Sequence, residues 1–395
     1  MSILVINAGS TSLKFGLFDL GAQETLVSGS IDWPSGDRRQ ARLTIRRRHD
    51  PETKSVVAVS DDEAATECAI QALGAKHDIK AVGHRVVHGG AEFQDAARID
   101  ANVKATIARL AELAPLHNPP ALEAIKGAEV ALPGIPQVAV FDTAFFARLP
   151  PRAHVFPLPY EWYEKWGVRR FGFHGISNAY CAGRAAELLG RGQAELRLVT
   201  CHLGGGCSAT AVRGGAPVMT TMGFTPLAGL MMGTRSGSVD PGVLIHLQRR
   251  CGLTVDDIDD VLNHQSGLAG LSGISADMAA VEAAANQGNE RAQLAFDIFA
   301  DAVRSTIGAL AVTLGGVDAL IFTDRVGEGS PALRAAACEG LECIGLRLDA
   351  QRNATCRPDA DVAATDSPGR ILVIHTLEEL MIARETRRVL NLQTS

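Results

Sequence analysis

The strongest constraint on this chain is a strand–turn–strand pattern that occurs twice. In Ile3–Leu20, the apolar run Ile3–Ile6 is short enough to be a fully buried strand. Asn7–Ser12 is turn chemistry, and Leu13–Phe18 is the returning strand. Gly9 frees the turn from Cβ clashes. The turn amides and the hydroxyls of Ser10, Thr11 and Ser12 can donate to an anion, and Lys14 is placed to add charge. Asn7 ends the buried strand, where its side-chain oxygen could face a metal-bound phosphate. Taken alone, the stretch is equally an ordinary hairpin whose small residues only make a turn. The second copy, LRLVTCHLGGGCSATAVRG over Leu196–Gly214, repeats the buried strand, a turn of Gly204, Gly205 and Gly206, and the returning strand. Overlaying Asn7 on His202 aligns the two, with about half the chain between them. The repeat predicts two like α/β domains, each opening with a phosphate-cradling hairpin, facing one another across a cleft. It differs from a helix-opening P-loop, whose GxxxxGK[ST] signature is absent.

A length of 395 residues favours two domains over one core. The net charge of −6 argues against general nucleic-acid binding, which needs a basic field. The local run Arg38, Arg39, Arg42, Arg46, Arg47 and Arg48 alternates with Leu43 and Ile45 and is expected on the solvated faces of an outer hairpin. No secretory leader and no membrane span are expected, since no apolar run reaches about 18 residues. The eight cysteines form no CxxC pair or zinc spacing. The apolar contexts of Cys68, Cys181, Cys201 and Cys251 predict reduced core thiols in a cytoplasmic protein.

Along the chain, helices are predicted over 61–76, 101–113 and 120–130, and a strand over 79–87. A buried strand over 137–141 delivers Asp142 at its C-terminal end, where ligands of open α/β sheets collect. The Pro- and aromatic-rich passage 149–166 breaks the pattern. It is followed by RRFGFHG and a helix over 177–189. The Gly- and Met-rich passage 220–241 reads as a long functional loop. Helices over 242–250, 254–264, 277–285 and 290–314 come next. A strand over 319–322 then runs into Thr323–Glu328, followed by a helix over 331–346, a strand over 371–375 and a last helix over 378–390.

Arginines beside glycines carry the chemical signal. Arg85 in GHRVVHGG and Arg235 in MGTRSGS lie where backbone can approach a ligand, and a guanidinium fork matches carboxylate or phosphoryl oxygens. His117 and His174 lie in loops; either alone is more often structural. Asp142 could orient a metal, act as a base or cap a helix. Glu378 opens the last helix, where a capping box with Thr376 and Glu379 is the plain alternative. An anion-binding hairpin, two arginines, histidines and carboxylates together are the inventory for in-line phosphoryl transfer, in which catalysis is positioning plus charge neutralisation.

The segments VINAGSTSLKF, GHRVVHGG, LAPLHNP, VFDTAF, RRFGFHGIS, TMGFTPLAGLMMGTRSG and EELMIARET occur here in order. On these the chain resembles the acetate kinase (acetokinase) family of the acetate and sugar kinase/actin superfamily, over essentially its whole length. The resemblance implies an α/β fold of two duplicated actin-like (ribonuclease H-like) domains facing a central cleft, with residues 1–148 plus 376–395 as one and 149–375 as the other. It implies phosphoryl transfer between ATP and acetate, giving ADP and acetyl phosphate, with Mg²⁺ (or Mn²⁺) held by Asn7 and Glu378. Arg85 and Arg235 would flank acetate and the transferring group, and His174 would stabilise its equatorial oxygens. Asp142 would be the essential carboxylate, acting through positioning or metal-water contacts, because acetate is already ionised at neutral pH. His117 would be an auxiliary donor, and Val87, Leu116, Phe173 and Pro226 match the family's methyl pocket. The co-substrate would meet Ser12, Lys14, His202, Gly204, Gly205, Gly206, Asp277, Met278, Ala279, Arg325, Gly327 and Glu328. A homodimer through the second domain is implied, with neither nucleic acid nor membrane as partner.

The departures cluster on the nucleotide side. Gly205 stands for an Asn in the family's HLGNG, and FTGGIGEN reads FTDRVGEGS, so Asp324 and Arg325 replace paired glycines. Ala279 takes the place of an Arg that usually stacks near adenine. Three readings follow: an acetate kinase still using ATP, a relative using pyrophosphate that Arg325 meets, or a catalytically impaired regulatory protein. A plainer geometry has Arg325 in solvent with Asp324 paired to it.

Overall fold

The computed structural model describes residues 1–9, 11–33, 37–48, 50–74 and 77–393. Ser10 of the first turn and Lys76 at the end of the first predicted helix lie outside them. The chain divides into two compact units, Met1–Ala147 with Leu377–Ser395, and Arg148–Thr376.

The first unit holds a sheet of β1 (Ser2–Ala8), β2 (Ser12–Asp19), β3 (Thr25–Asp32), β4 (Ala41–Arg47), β5 (Thr53–Val57), β6 (Ile79–Val86), β7 (Ala97–Arg98) and β8 (Gln137–Phe141), in the order β5-β4-β3-β2-β1-β6-β8-β7. β1 is buried along its whole length, antiparallel to β2 and parallel to β6, which explains its continuous apolar run. The second unit repeats the plan with β9 (Arg197–Leu203), β10 (Cys207–Arg213), β11 (Ala216–Thr220), β12 (Ala319–Thr323), β13 (Ala360–Asp361) and β14 (Arg370–Val373). Their order is β11-β10-β9-β12-β14-β13. β9 is again antiparallel to its hairpin partner and parallel to the next strand, so Asn7 and His202 occupy corresponding strand ends.

Strand alternation sorts the first unit's side chains into two layers. Leu4, Ile6 and Val82 join a core with Ala65, Ala69 and Leu73 of the helix Asp62–Leu73 and Ala124 and Ala128 of the helix Asn118–Ala131. Gly83 faces the other way, towards the last helix, Glu378–Val389. A Cβ on Gly83 would run into Thr386 Oγ1 and Ile382, so this glycine lets the helix seat directly on β6. Arg85 follows two residues later on the same face.

Most predicted elements form, with boundaries set by caps. Asp61 caps the first helix by accepting from Ala64 N, so it precedes rather than joins it. The helix predicted from Pro120 starts at Asn118, which shortens the loop after His117. Short helices at Gly267–Ser272 and Asp324–Gly329 were not predicted; both are Gly-rich and too brief for periodicity to show. Two expectations about burial need correction. Arg38 is largely buried, its guanidinium over Trp33 at 4.3 Å and donating to Asp62 Oδ2 at 2.7 Å. Cys251 is exposed at the end of a helix instead of lying in the core. No helix among the described residues is long and apolar enough to cross a membrane.

Behind Arg85, on the opposite face of β6, His84 is completely buried. Its Nε2 lies 2.5 Å from Gln137 Oε1, while Nδ1 has no partner among the described residues. Burial pulls its pKa down to about 4, against the opposing hydrogen bond. The folded value lies below the unfolded one, so as far as His84 is concerned the protein is at full stability above about pH 6.5, where this ring is neutral in both states. It loses stability as pH falls towards 4, by on the order of 3 kcal/mol. Urea titrations at pH 7.5 and 4.5 should show this slope in the parent and lose most of it in His84→Gln.

Candidate active site

The first unit gathers its polar groups at the C-terminal ends of β1, β6 and β8. Asp142, one residue past β8, is fully buried and accepts from Arg85 Nε at 3.1 Å and Nη2 at 2.6 Å, both on Oδ2. Arg85 Nη1 donates to Asn7 Oδ1 at 3.3 Å, and Asn7 Nδ2 donates to Glu379 Oε1 at 3.4 Å. Burial opposes the charge on Arg85, but Asp142, Glu378 and Glu379 outweigh it and hold its pKa above an ordinary guanidinium. It therefore stays a fixed cation. Asp142 Oδ1 is buried with no hydrogen-bond partner among the described residues. A buried oxygen left so is costly unless something else fills its place. Asp142 caps no helix here. Glu378 forms no capping box either, because the cap position is Leu377 without a side-chain bond, and Thr376 Oγ1 instead donates to Ser177 Oγ. On the first hairpin, Gly9 N donates to Ser12 O at 2.8 Å to close the turn, and Lys14 is exposed opposite Asn7 in register. Val87 is buried, His117 half-buried and Leu116 exposed.

In the second unit, His174 precedes the helix Gly175–Leu189 with a left-handed backbone (φ +59°). Its carbonyl accepts from Asn178 N and Nδ2. Its Nδ1 is 3.0 Å from Ser208 Oγ, and its ring stacks on His202 at 4.0 Å between centroids. A Cβ at Gly206 would approach His174 Nε2 to 3.2 Å, so the bare turn admits the ring. His202 Nδ1 lies 2.9 Å from Ser177 Oγ. Arg235 donates to Pro226 O at 2.8 Å; burial lowers its pKa, yet a guanidinium starts so high that it stays charged. Phe173, the residue before His174, is buried and Pro226 half-buried. Burial pushes the Cys207 thiol up to about 12, so the thiol beside the turn is no nucleophile at neutral pH.

On the donor side the substituted residues separate. Arg325 pairs with Asp277 at 3.0 Å, and its partner is therefore not Asp324. Asp324 turns to His202 Nε2, 3.4 Å away, and its N–H donates to Glu328 Oε1. Glu328 also holds His375 Nδ1 at 2.7 Å. Gly327 is buried, its carbonyl accepting from the buried Arg334. Met278 is buried and Ala279 exposed at the start of a helix capped by Asp277. Gly205 is exposed at the turn's tip. Sequence reasoning missed Glu379, Ser177, Ser208 and the Asp324–His202 pair. Only Glu379 carried a signal, as the second acid of the last helix's first turn.

Among the described residues, no three His, Cys, Asp or Glu side chains converge as a metal site. Magnesium does not need one, since it takes one or two carboxylates and completes its shell with water and phosphate. The hard oxygens of Asn7 and Glu378, beside the unpartnered Asp142 Oδ1, fit that mode.

A family model described as the acetokinase family matches residues 2–384. The acetate kinase of Gloeobacter violaceus is 51% identical over 98% of both chains. That of Geobacillus kaustophilus is 44% identical over 99% of both. Among solved structures, Porphyromonas gingivalis acetate kinase is 37% identical with a TM-score of 0.90, covering 98% of this chain and 99% of that one. A propionate kinase from Francisella tularensis, at the same coverage, is 36% identical with a TM-score of 0.91.

Proposed function

This chain belongs to the acetokinase family, with that family's actin-like α/β fold, and from that premise we propose that it transfers a phosphoryl group reversibly between ATP and acetate, giving ADP and acetyl phosphate. It is a phosphotransferase with a carboxyl group as acceptor. The observation that carries the reading is the fixed Arg85 cation, locked by Asp142 beside Asn7 and the acids of the last helix. Such a cation pairs with an anionic acceptor.

In this reading Arg85 binds the acetate carboxylate, and Arg235 and His174 donate to phosphoryl oxygens as charge spreads over them in an in-line transfer. Ser208 and the stacked His202 hold the His174 ring. Asp142 fixes Arg85, and acetate arrives ionised, so no base is needed. Asn7 and Glu378 would hold Mg²⁺, which supplies charge neutralisation on phosphate oxygens. Lys14 adds a further cation, and His117 an auxiliary hydrogen bond. Val87 and Leu116 of the first unit, and Phe173 and Pro226 of the second, are proposed as apolar contacts of the acyl methyl, which would separate acetate from propionate by no more than about 10²-fold. The donor would meet Ser12, the turn Gly204–Gly206, Asp277–Ala279 and Arg325–Glu328. The domain limits are proposed at 148/149 and 375/376. A cytoplasmic homodimer is carried over from the resemblance. Exposed Val243, Ile245 and Val255 of the second unit are apolar surface that pairing would cover, and a solution mass of one 41.7 kDa chain would remove it.

A second reading, with pyrophosphate as donor, is favoured by the charged pair that replaces two glycines. Arg325, its proposed phosphate contact, is engaged by Asp277. Acetyl phosphate trapped with hydroxylamine, from acetate and Mg²⁺ with ATP, GTP or pyrophosphate, separates the two. Product with ATP that disappears on chelating the metal is expected. Product with pyrophosphate alone moves the assignment, and a chain inert with every donor leaves a regulatory relative.

A further inference from the structure

The Gly-rich turn of the second unit carries its own anion. Asp324 Oδ2 lies so close over Gly204 that a Cβ built there would overlap it. The same oxygen is 3.4 Å from Nε2 of His202, a side chain almost wholly buried at the end of β9. Asp324 holds φ +63°, in the left-handed region that side chains with a Cβ enter at a cost. Its neighbour Arg325 is engaged by Asp277, on the surface.

A strand–turn–strand of bare glycines presents backbone amides to an anion. A carboxylate fixed over that turn takes up the space and adds a negative charge against incoming phosphate. We propose that Asp324 is an internal competitor of the phosphoryl donor. Lying over Gly204 and 3.4 Å from His202 Nε2, its carboxylate must swing off the turn before donor phosphates can settle, so this one side chain sets donor affinity and lowers it for any polyphosphate. The inference rests on the donor reading above, which puts donor phosphates at the Gly204–Gly206 turn, and its probes are ADP and inorganic pyrophosphate.

The test is titration calorimetry of each probe, with Mg²⁺, on the full chain and on Asp324→Asn and Asp324→Gly. Asparagine keeps the volume and tolerates the left-handed backbone, but loses the charge. Glycine removes the group and relieves the backbone, so its melting temperature at or above the parent's certifies folding. Both variants are expected to bind ADP and pyrophosphate at least about tenfold more tightly, a gain of about 1.4 kcal/mol. The KM for acetate should move by less than about twofold, since only binding at the turn changes. Equal affinities in parent and variants would overturn the competition. Weaker binding in the variants would also overturn it, by making Asp324 a ligand of the donor or its metal. The two claims fail separately. Tighter binding without any phosphoryl transfer sinks the acetate assignment and keeps the competitor, whereas acetyl phosphate formation with unchanged binding does the reverse.

Discussion

Arg85→Ala is expected to remove activity and weaken the fold together. Asp142 is fully buried and accepts hydrogen bonds from two nitrogens of Arg85. Deleting the guanidinium leaves a buried carboxylate uncompensated, at a cost on the order of 3–5 kcal/mol. The acceptor also loses its cation, so kcat/KM should fall by at least about 10³-fold. The double variant Arg85→Ala/Asp142→Asn distinguishes the two losses. Without a charge to strand, most of the stability should return in urea melts, while turnover stays absent. A single variant as stable as the parent would mean that Arg85 does not hold Asp142 in the folded protein.

His174→Asn is expected to separate chemistry from folding. The residue sits at φ +59°, a conformation that asparagine adopts more readily than most side chains, so the helix start at Gly175 should survive. The imidazole between Ser208 and the His202 ring is lost with its donor atom. Turnover should drop by about 10²–10³-fold, with KM for acetate little changed and the melting temperature within a few degrees of the parent. A variant with near-parental kcat would show that the ring does not touch the transferring group. A large rise in KM alone would make its role ground-state binding.

The duplicated hairpin was legible because a strand buried on both faces is largely apolar and its turn must be small. Those two demands fix Ile3–Ile6 with Gly9, and Leu198–Leu203 with Gly204–Gly206. The repeated strand order follows from them. Arg85 and Asp142 could be placed at strand ends, but their pairing could not be read, because 57 residues of chain separate them and only tertiary packing brings them together. The same limit hid Ser208 under His174. The replacement of paired glycines by Asp324 and Arg325 was visible, yet the direction each side chain takes was not. That depends on a backbone angle at 324 and on Asp277 being within reach of 325. Arg38 defeated the charge-patterning argument for a related reason, since a buried Trp33 and Asp62 outweigh the preference of one guanidinium for water.

The first unit is not continuous in the chain. Its last helix, with Glu378 and Glu379, comes after the whole of residues 148–376. On a ribosome making the protein from its N-terminus, β1, β6 and β8 are therefore exposed for the entire synthesis of the second unit with one face of their sheet lacking its cover. Gly83 waits bare for a helix still to be made, and Arg85 and Asp142 can meet before the acids that complete their surroundings exist. The second unit needs no residue beyond Thr376 to close, whereas the first cannot finish until Glu378–Val389 has been made. A chain truncated after Thr376 should carry a protease-sensitive first unit and a protected second one.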